Sequence, residues 1–237
     1  MAHLARIRED KALKSACDAI FSDIIHHKMS ITGGIGAVRA GEAFSYAYDL
    51  PNQEVYNETC AAIALAMFAA ELGQMEENTE YADLIERIYY NGFLSGLALS
   101  GDRFFYVNPL EIDRKKTTRE SEFRGLVQRS KIFDTSCCPP NIVRMLGSLP
   151  RYMYATQEDT VYCHQFAHAV TTFEQGTLTQ KTDYPISGSI DFTWQGSPIT
   201  LKVRIPGWCV EYKGETENGY ATFRLQDGET VHIDLPM

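Results

Sequence analysis

Two adjacent cysteines, Cys137 and Cys138, are followed directly by Pro139, Pro140 and Asn141. Proline is favoured in the first turn of a helix, and apolar residues recur at helical spacing after Asn141, so we expect both sulfurs at a helix N-terminus. Free backbone N–H groups and the helix dipole stabilise an anion there, which predicts lowered cysteine pKa values. Such thiols could act as nucleophile or metal ligand; the alternative is a pair of small, buried apolar residues.

A second segment offers ligands of the same kind. Glu58 and Cys60 stand at the start of a stretch that continues to Leu72, is apolar on nearly every side and predicts an inner helix with no polar face. Three thiols and one carboxylate are sufficient to bind one tetrahedral Zn²⁺ ion. Neither segment has the spacing of a zinc finger or ribbon, so the fold must bring the two together. The predicted zinc ligands are Glu58, Cys60, Cys137 and Cys138.

Several short motifs, which include these two segments, are distributed along nearly the whole chain. They are Thr32-Gly33-Gly34-Ile35-Gly36, Gly41-Glu42-Ala43-Phe44, Tyr48-Asp49-Leu50-Pro51, Glu58-Thr59-Cys60, Glu86-Arg87 with Tyr89-Tyr90-Asn91, Cys137-Cys138-Pro139-Pro140-Asn141 and Arg204-Ile205-Pro206-Gly207-Trp208. Their order and intervals resemble those of the zinc-dependent β-L-arabinofuranosidases of glycoside hydrolase family 127. The resemblance implies a chain that begins midway through an all-helical (α/α)6 barrel and stops within a β-sandwich region.

The resemblance also implies a chemistry, the release of terminal β-L-arabinofuranose from plant-derived glycans with retention of configuration. A retaining enzyme needs a nucleophile on one face of the sugar and an acid/base on the other. The resemblance assigns these roles to zinc-bound Cys137 and to Glu42, and it places Tyr106 against the sugar. Glu86 would support the metal ligands or pair with a neighbouring helix. Without the resemblance, Glu42 is an ordinary surface glutamate and Tyr106 an ordinary core aromatic residue.

Two other classes of function compete with hydrolysis. A non-catalytic, zinc-stabilised module could use the same cysteines and bind carbohydrate or a partner protein. A thiol redox protein could use Cys137 and Cys138, but a disulfide between adjacent residues closes a small, strained ring. His164 and His168 alternate along a predicted strand, and we interpret them as hydrogen-bonded within the β segment rather than as a metal-binding pair.

Composition excludes several kinds of partner. Of the 237 residues, 44% are hydrophobic and 22% charged, as in globular proteins. The formal net charge of -9 argues against a nucleic-acid surface, and the basic cluster 114–116 sits in a polar loop that also contains acids. No apolar run is long enough to cross a membrane, and no secretion signal follows Met1. Six cysteines are too few for a disulfide scaffold, so we predict reduced thiols and a cytoplasmic protein.

The period of the hydrophobic pattern divides the chain in two. Residues 1–157 show helical spacing, including one amphipathic helix from Ala5 to about Lys28, and strand-like alternation follows from Asp159. We therefore predict an α+β multidomain chain. Residues 1–157 would form the C-terminal half of the (α/α)6 barrel, and residues 158–237 an incomplete antiparallel β-sandwich. A halved barrel exposes apolar surface, so the expected partners besides the carbohydrate are the missing N-terminal half or a second copy of the chain.

Overall fold

A computed structural model describes residues 1–113, 115, 128–133, 135 and 137–237 of the chain. The chain forms two compact units. Unit 1 comprises Met1–Glu76 and Leu84–Gly147, and unit 2 comprises Glu77–Asp83 and Ser148–Met237. Two residues of the basic cluster, Arg114 and Lys116, lie outside the described residues. Across the described ranges, no helix combines the length and apolarity that a membrane crossing requires.

Among the described residues before 153, the regular structure is helical. The helices are α1 (Ala2–Arg8), α2 (Lys11–Asp23), α3 (Thr59–Gly73), α4 (Thr79–Arg87) and α5 (Cys138–Gly147), with π-helical turns at Ile24–Lys28 and Ile88–Phe93 and 3-10 turns at Leu94–Gly96 and Leu149–Tyr152. The single helix predicted from Ala5 is therefore wrong. Glu9 adopts a left-handed φ of 51° that ends α1. The Asp10 carboxylate then caps α2 by accepting a hydrogen bond from the Leu13 N–H at 3.0 Å.

Helix α3 is apolar on nearly every side, as the sequence predicts. Ile63 and Leu72 are 1% and 0% exposed, although their separation of nine residues places them on opposite sides of the helix axis. Glu58 is the residue before its first turn, and the Glu58 side chain makes no capping hydrogen bond to the helix. Burial of this helix fixes the position of Glu58 and of Cys60 in its first turn.

Strands form the rest of unit 2. They are β1 (Tyr154–Gln157), β2 (Thr160–Cys163), β3 (Ala169–Phe173), β4 (Gly176–Thr182), β5 (Ser189–Gly196), β6 (Ile199–Arg204), β7 (Tyr220–Leu225) and β8 (Thr230–Asp234). One sheet has the order β1-β2-β6-β7 and the other β3-β4-β5-β8. Side chains from both sheets share one buried core, which includes Val161, Leu201, Phe192 and Trp194.

Two details of the sheets differ from the prediction. The pairs are antiparallel except for β2 with β6, which run parallel with Val161 opposite Leu201. Strand β2 ends at Cys163, so His164 and His168 lie in an irregular segment before β3 rather than on one strand face. His164 faces inward there, and its Nδ1 lies 3.1 Å from the Tyr220 hydroxyl.

One ion pair of unit 2 has a fully buried guanidinium, and its removal is expected to destabilise that unit. The Arg204 side chain is 0% exposed, donates to the His164 carbonyl at 2.6 Å and pairs with the Asp83 carboxylate, which also accepts from the Gly207 N–H at 3.0 Å. Asp83→Asn removes the carboxylate charge that the buried guanidinium contacts, which costs about 3–5 kcal/mol. Urea unfolding followed by tryptophan fluorescence measures this loss, because Trp194 lies in the core of unit 2.

The exposed pair Arg224–Asp159 provides the matched control, since its side chains are 73% and 58% exposed. Asp159→Asn is expected to change the free energy of unfolding by less than about 1 kcal/mol. Equal effects of the two substitutions would show that the buried pair contributes no more than a surface pair.

Candidate metal centre

The structure brings the two predicted ligand segments together. The ligand atoms of Glu58, Cys60, Cys137 and Cys138 all lie within 4.8 Å of one another. The Sγ atoms of Cys60 and Cys138 are 3.4 Å apart, and those of Cys137 and Cys138 are 3.9 Å apart. Glu58 Oε1 lies 3.2 Å from the Cys137 sulfur and 3.9 Å from the Cys138 sulfur. All four side chains belong to unit 1.

These distances fit a tetrahedral cation. With metal–sulfur bonds of about 2.3 Å, two sulfurs on a tetrahedral Zn²⁺ lie roughly 3.8 Å apart. The two sulfur–sulfur distances, 3.4 and 3.9 Å, bracket that value. Three thiols with one carboxylate also form a donor set that suits a borderline-soft divalent ion. The group could therefore hold one metal ion without rearrangement of the backbone.

Backbone pairing holds the Glu58 segment against the segment that carries Tyr106. Glu58 forms an isolated β-bridge with Val107. The Thr59 N–H donates to the Tyr106 carbonyl at 3.0 Å, and the Thr59 hydroxyl donates to the Phe105 carbonyl at 2.8 Å. Glu58, Cys60 and the Tyr106 ring are thus positioned by one short ladder of hydrogen bonds.

The glycine-rich loop supports the same segment from the other side. A Cβ on Gly34 would lie 2.7 Å from Cγ of Asn57, the residue before Glu58. Asn57 is 1% exposed, and its amide donates to the Ser30 hydroxyl at 2.9 Å. Glycine is required at position 34 because the Asn57 side chain occupies the space of a side chain there. The loop therefore packs against the residue that precedes Glu58 and helps to position it.

Helix α5 begins at Cys138, as predicted, but the pKa prediction is wrong for two cysteines. Burial raises the pKa of Cys137 to about 11. The hydrogen bond with Cys60, together with burial, raises the pKa of Cys138, and the same bond lowers the pKa of Cys60. Pro139 and Pro140 occupy the next positions of the helix and carry no N–H, so this N-terminus has fewer donors than an ordinary one.

Two tyrosines connect the cluster to Glu42. The Tyr106 hydroxyl lies 3.0 Å from the Cys137 sulfur, and the ring centroids of Tyr56 and Tyr106 are 6.4 Å apart. The Tyr56 hydroxyl donates to Glu42 Oε1 at 3.1 Å. Burial is the main cause of raised pKa values at both tyrosines, so both hydroxyls stay protonated and able to donate. Tyr106 and Tyr56 thus connect Cys137 to the exposed Glu42.

Comparison with known families assigns both parts of the chain. Residues 1–151 match the catalytic domain described as β-L-arabinofuranosidase, GH127, and residues 160–237 match the middle domain of the same family. The chain belongs to glycoside hydrolase family 127. The sequence resemblance is therefore confirmed at the level of the family.

Relatives of this family 127 chain are considerably longer. The non-reducing end β-L-arabinofuranosidase of Bifidobacterium longum subsp. longum is 33% identical over 256 residues, which cover 100% of this chain and 39% of that protein. A crystal structure of a GH127 β-L-arabinofuranosidase from Geobacillus stearothermophilus T6 gives a TM-score of 0.89 at 35% identity and covers 100% of this chain and 40% of that one. A second GH127 β-arabinofuranosidase structure gives a TM-score of 0.89 at 31% identity and covers 100% and 41%. The chain thus spans about 40% of the length of these relatives.

Other residues that the sequence singled out lie elsewhere in the fold. Glu86 is buried at 7% exposure in α4 and is not part of the four-residue group, so its supporting role stays a prediction. Burial lowers the pKa of His164 to about 4, and its hydrogen bond to the Tyr220 hydroxyl confirms the interpretation that it bonds within the β segment. Buried thiols at Cys17, Cys163 and Cys209 agree with their apolar sequence contexts.

No local sequence signal indicates the roles of two residues at the site. Tyr56 meets Glu42 across a turn in which Gly41 and Glu42 both adopt positive φ, and no local spacing indicates that contact. Asn141 lies within the double-cysteine motif, but only the folded arrangement shows that its amide donates to the Cys60 sulfur at 3.0 Å. Both are polar side chains whose partners are remote in sequence.

Proposed function

We propose that this chain carries the reaction centre of a retaining glycoside hydrolase that releases terminal β-L-arabinofuranose from glycans. The close grouping of three thiols and one carboxylate in a family 127 chain carries this proposal. In it, Glu58, Cys60, Cys137 and Cys138 bind one Zn²⁺ ion. Cys137 is the nucleophile and Glu42 the acid/base.

Ionisation of the nucleophile is the first requirement. Burial raises the pKa of Cys137 to about 11, so the protein environment alone keeps this thiol protonated at neutral pH. Bound zinc supplies the positive charge that keeps such thiols deprotonated. A thiolate at Cys137 carries no proton, so the Tyr106 hydroxyl, whose oxygen lies 3.0 Å from the sulfur, donates to it and holds it in place.

The reaction then follows the two-step course of retaining enzymes. The Cys137 sulfur attacks the anomeric carbon and forms a C–S bond while the glycosidic C–O bond breaks, and Glu42 protonates the departing oxygen. Glu42 next takes a proton from water, whose oxygen displaces the sulfur from the sugar. Tyr56 orients the Glu42 carboxylate through its 3.1 Å hydrogen bond, and Tyr106 also contacts the sugar.

The broader assignments follow from the same proposal. Residues 1–157 form part of an (α/α)6 barrel, and residues 158–237 belong to a β-sandwich domain. The substrate is a carbohydrate, and the remaining partners are a complementing barrel segment or a second copy of the chain. A reducing compartment such as the cytoplasm suits the six cysteines, all of which are free. Glu86 supports the metal ligands from α4.

Release of an aryl group from an aryl β-L-arabinofuranoside tests the activity. The chain is assayed alone and together with the complementary segment of the Bifidobacterium longum relative, because the match covers 39% of that protein. We expect release from the β-L anomer, with β-L-arabinofuranose as the first product by NMR, and none from the α-L anomer. A zinc-stabilised binding module predicts stoichiometric zinc with no release in either assay, and that outcome would refute hydrolysis.

A further inference from the structure

Asn141 occupies a position in the first turns of α5 where its side chain faces the cluster. Its Nδ2 lies 3.0 Å from the Cys60 sulfur, and its backbone N–H points back to the Cys137 carbonyl at 3.4 Å. A thiolate is stabilised by N–H donors, and they usually come from the free backbone N–H groups of a helix N-terminus. Pro139 and Pro140 remove two of those groups here. The Asn141 amide is therefore a side-chain donor at a helix end that has two backbone donors fewer than usual.

The orientation of this amide is fixed from the other end. An asparagine amide presents an oxygen acceptor on one side and two N–H donors on the other, and only the second suits a thiolate. Arg144, one helical turn later in α5, donates from its guanidinium to Asn141 Oδ1. A guanidinium has no acceptor, so this bond is possible only when the amide oxygen faces Arg144. The N–H group must then face Cys60.

We propose that Asn141 is a positioning residue for the metal ligand Cys60, and that Arg144 acts through Asn141 by fixing the direction of its amide. The inference rests on the proposed metal centre. Residues that donate to metal ligands orient those ligands and tune how strongly they donate to the ion. An N–H bond to a thiolate withdraws electron density from the sulfur, so its removal should leave a more electron-rich and less ordered ligand.

The test uses Co²⁺ and Zn²⁺ with the purified 237-residue chain. Asn141→Leu keeps the approximate shape of the side chain and removes the donor. We expect its sulfur-to-cobalt charge-transfer band to move to lower energy and its zinc affinity, measured by competition with a chromophoric chelator, to fall about 10- to 100-fold. Arg144→Met should produce a smaller change of the same sign. The double variant should have the same band position and zinc affinity as Asn141→Leu alone, because the effects of substitutions within one hydrogen-bond network are not additive.

Asn91→Ala serves as the matched control, since the Asn91 amide donates to the Arg87 carbonyl at 3.3 Å outside the cluster. An unshifted band and unchanged zinc affinity in Asn141→Leu would overturn the proposal, and so would full additivity of the two substitutions. If Asn141→Leu does not fold, the shift in Arg144→Met decides the question. Absence of any charge-transfer band in the wild-type chain would instead refute the metal centre itself, and this inference with it.

Discussion

Cys137→Ser is expected to lower kcat/KM for an aryl β-L-arabinofuranoside by at least about 10⁴-fold, the order of loss when a covalent nucleophile is removed. A serine hydroxyl is far less ionised than a thiol, and it is a poorer ligand for a soft metal site. The rate is measured with the complementary segment present. Cys209→Ser is the control, because Cys209 is buried at 5% exposure outside the cluster. Full activity in Cys137→Ser would remove the assigned nucleophile.

Glu42→Gln should distinguish the acid/base from the nucleophile. We expect a loss of about 10²- to 10⁴-fold with an alkyl glycoside, whose leaving oxygen needs a proton. With a nitrophenyl glycoside the rate of the glycosylation step should fall less, because that leaving group departs without protonation. Added azide should then restore turnover by replacing water as acceptor. An equal loss with both substrates, and no effect of azide, would show that Glu42 does not act as a proton donor.

Removal of zinc should also have a large effect, on stability rather than on rate, and this effect should be confined to unit 1. A ligand that binds only the folded state adds about 4 kcal/mol of stability at a free concentration 1,000 times its Kd, so chelation should remove a comparable amount. Far-UV circular dichroism follows the helices of unit 1. Tryptophan fluorescence follows unit 2, since the two tryptophans of the chain, Trp194 and Trp208, both lie there.

Two buried cysteines make this test specific. Cys138 and Cys163 are each 0% exposed, but only Cys138 belongs to the four-residue group. Cys138→Ala should abolish stoichiometric zinc and make the helical transition insensitive to chelator, whereas Cys163→Ala should retain both responses. Similar zinc contents in the two variants would mean that the cluster does not hold the metal.

The four residues of the cluster could be selected from the sequence by type, because Cys and Glu side chains bind zinc. Their proximity could not be read from local spacing, since Cys60 and Cys138 are 78 positions apart and only the fold places their Sγ atoms at 3.4 Å. The start of α5 was also predictable, since proline and helical spacing are local signals. The pKa values were not, because burial raises that of Cys137 and the same prolines that mark the helix remove its donors.

Three other features of the structure could not be predicted from the hydrophobic pattern. The break between α1 and α2 depends on one left-handed residue, Glu9, and on the Asp10 cap, which hydrophobic spacing alone does not reveal. The parallel pairing of β2 with β6 depends on which strands become neighbours, and an alternating pattern predicts strands without their partners. The contact of Tyr56 with Glu42 depends on a turn with two positive φ angles.

X-ray absorption at the zinc K-edge of the purified chain tests the central claim most directly, because it reports the atoms bound to the ion. We expect one zinc per chain with three sulfur neighbours at about 2.3 Å and one oxygen neighbour at about 2.0–2.2 Å, and one sulfur fewer in Cys60→Ser. A shell of nitrogen and oxygen alone, or three sulfurs that persist in Cys60→Ser, would contradict it.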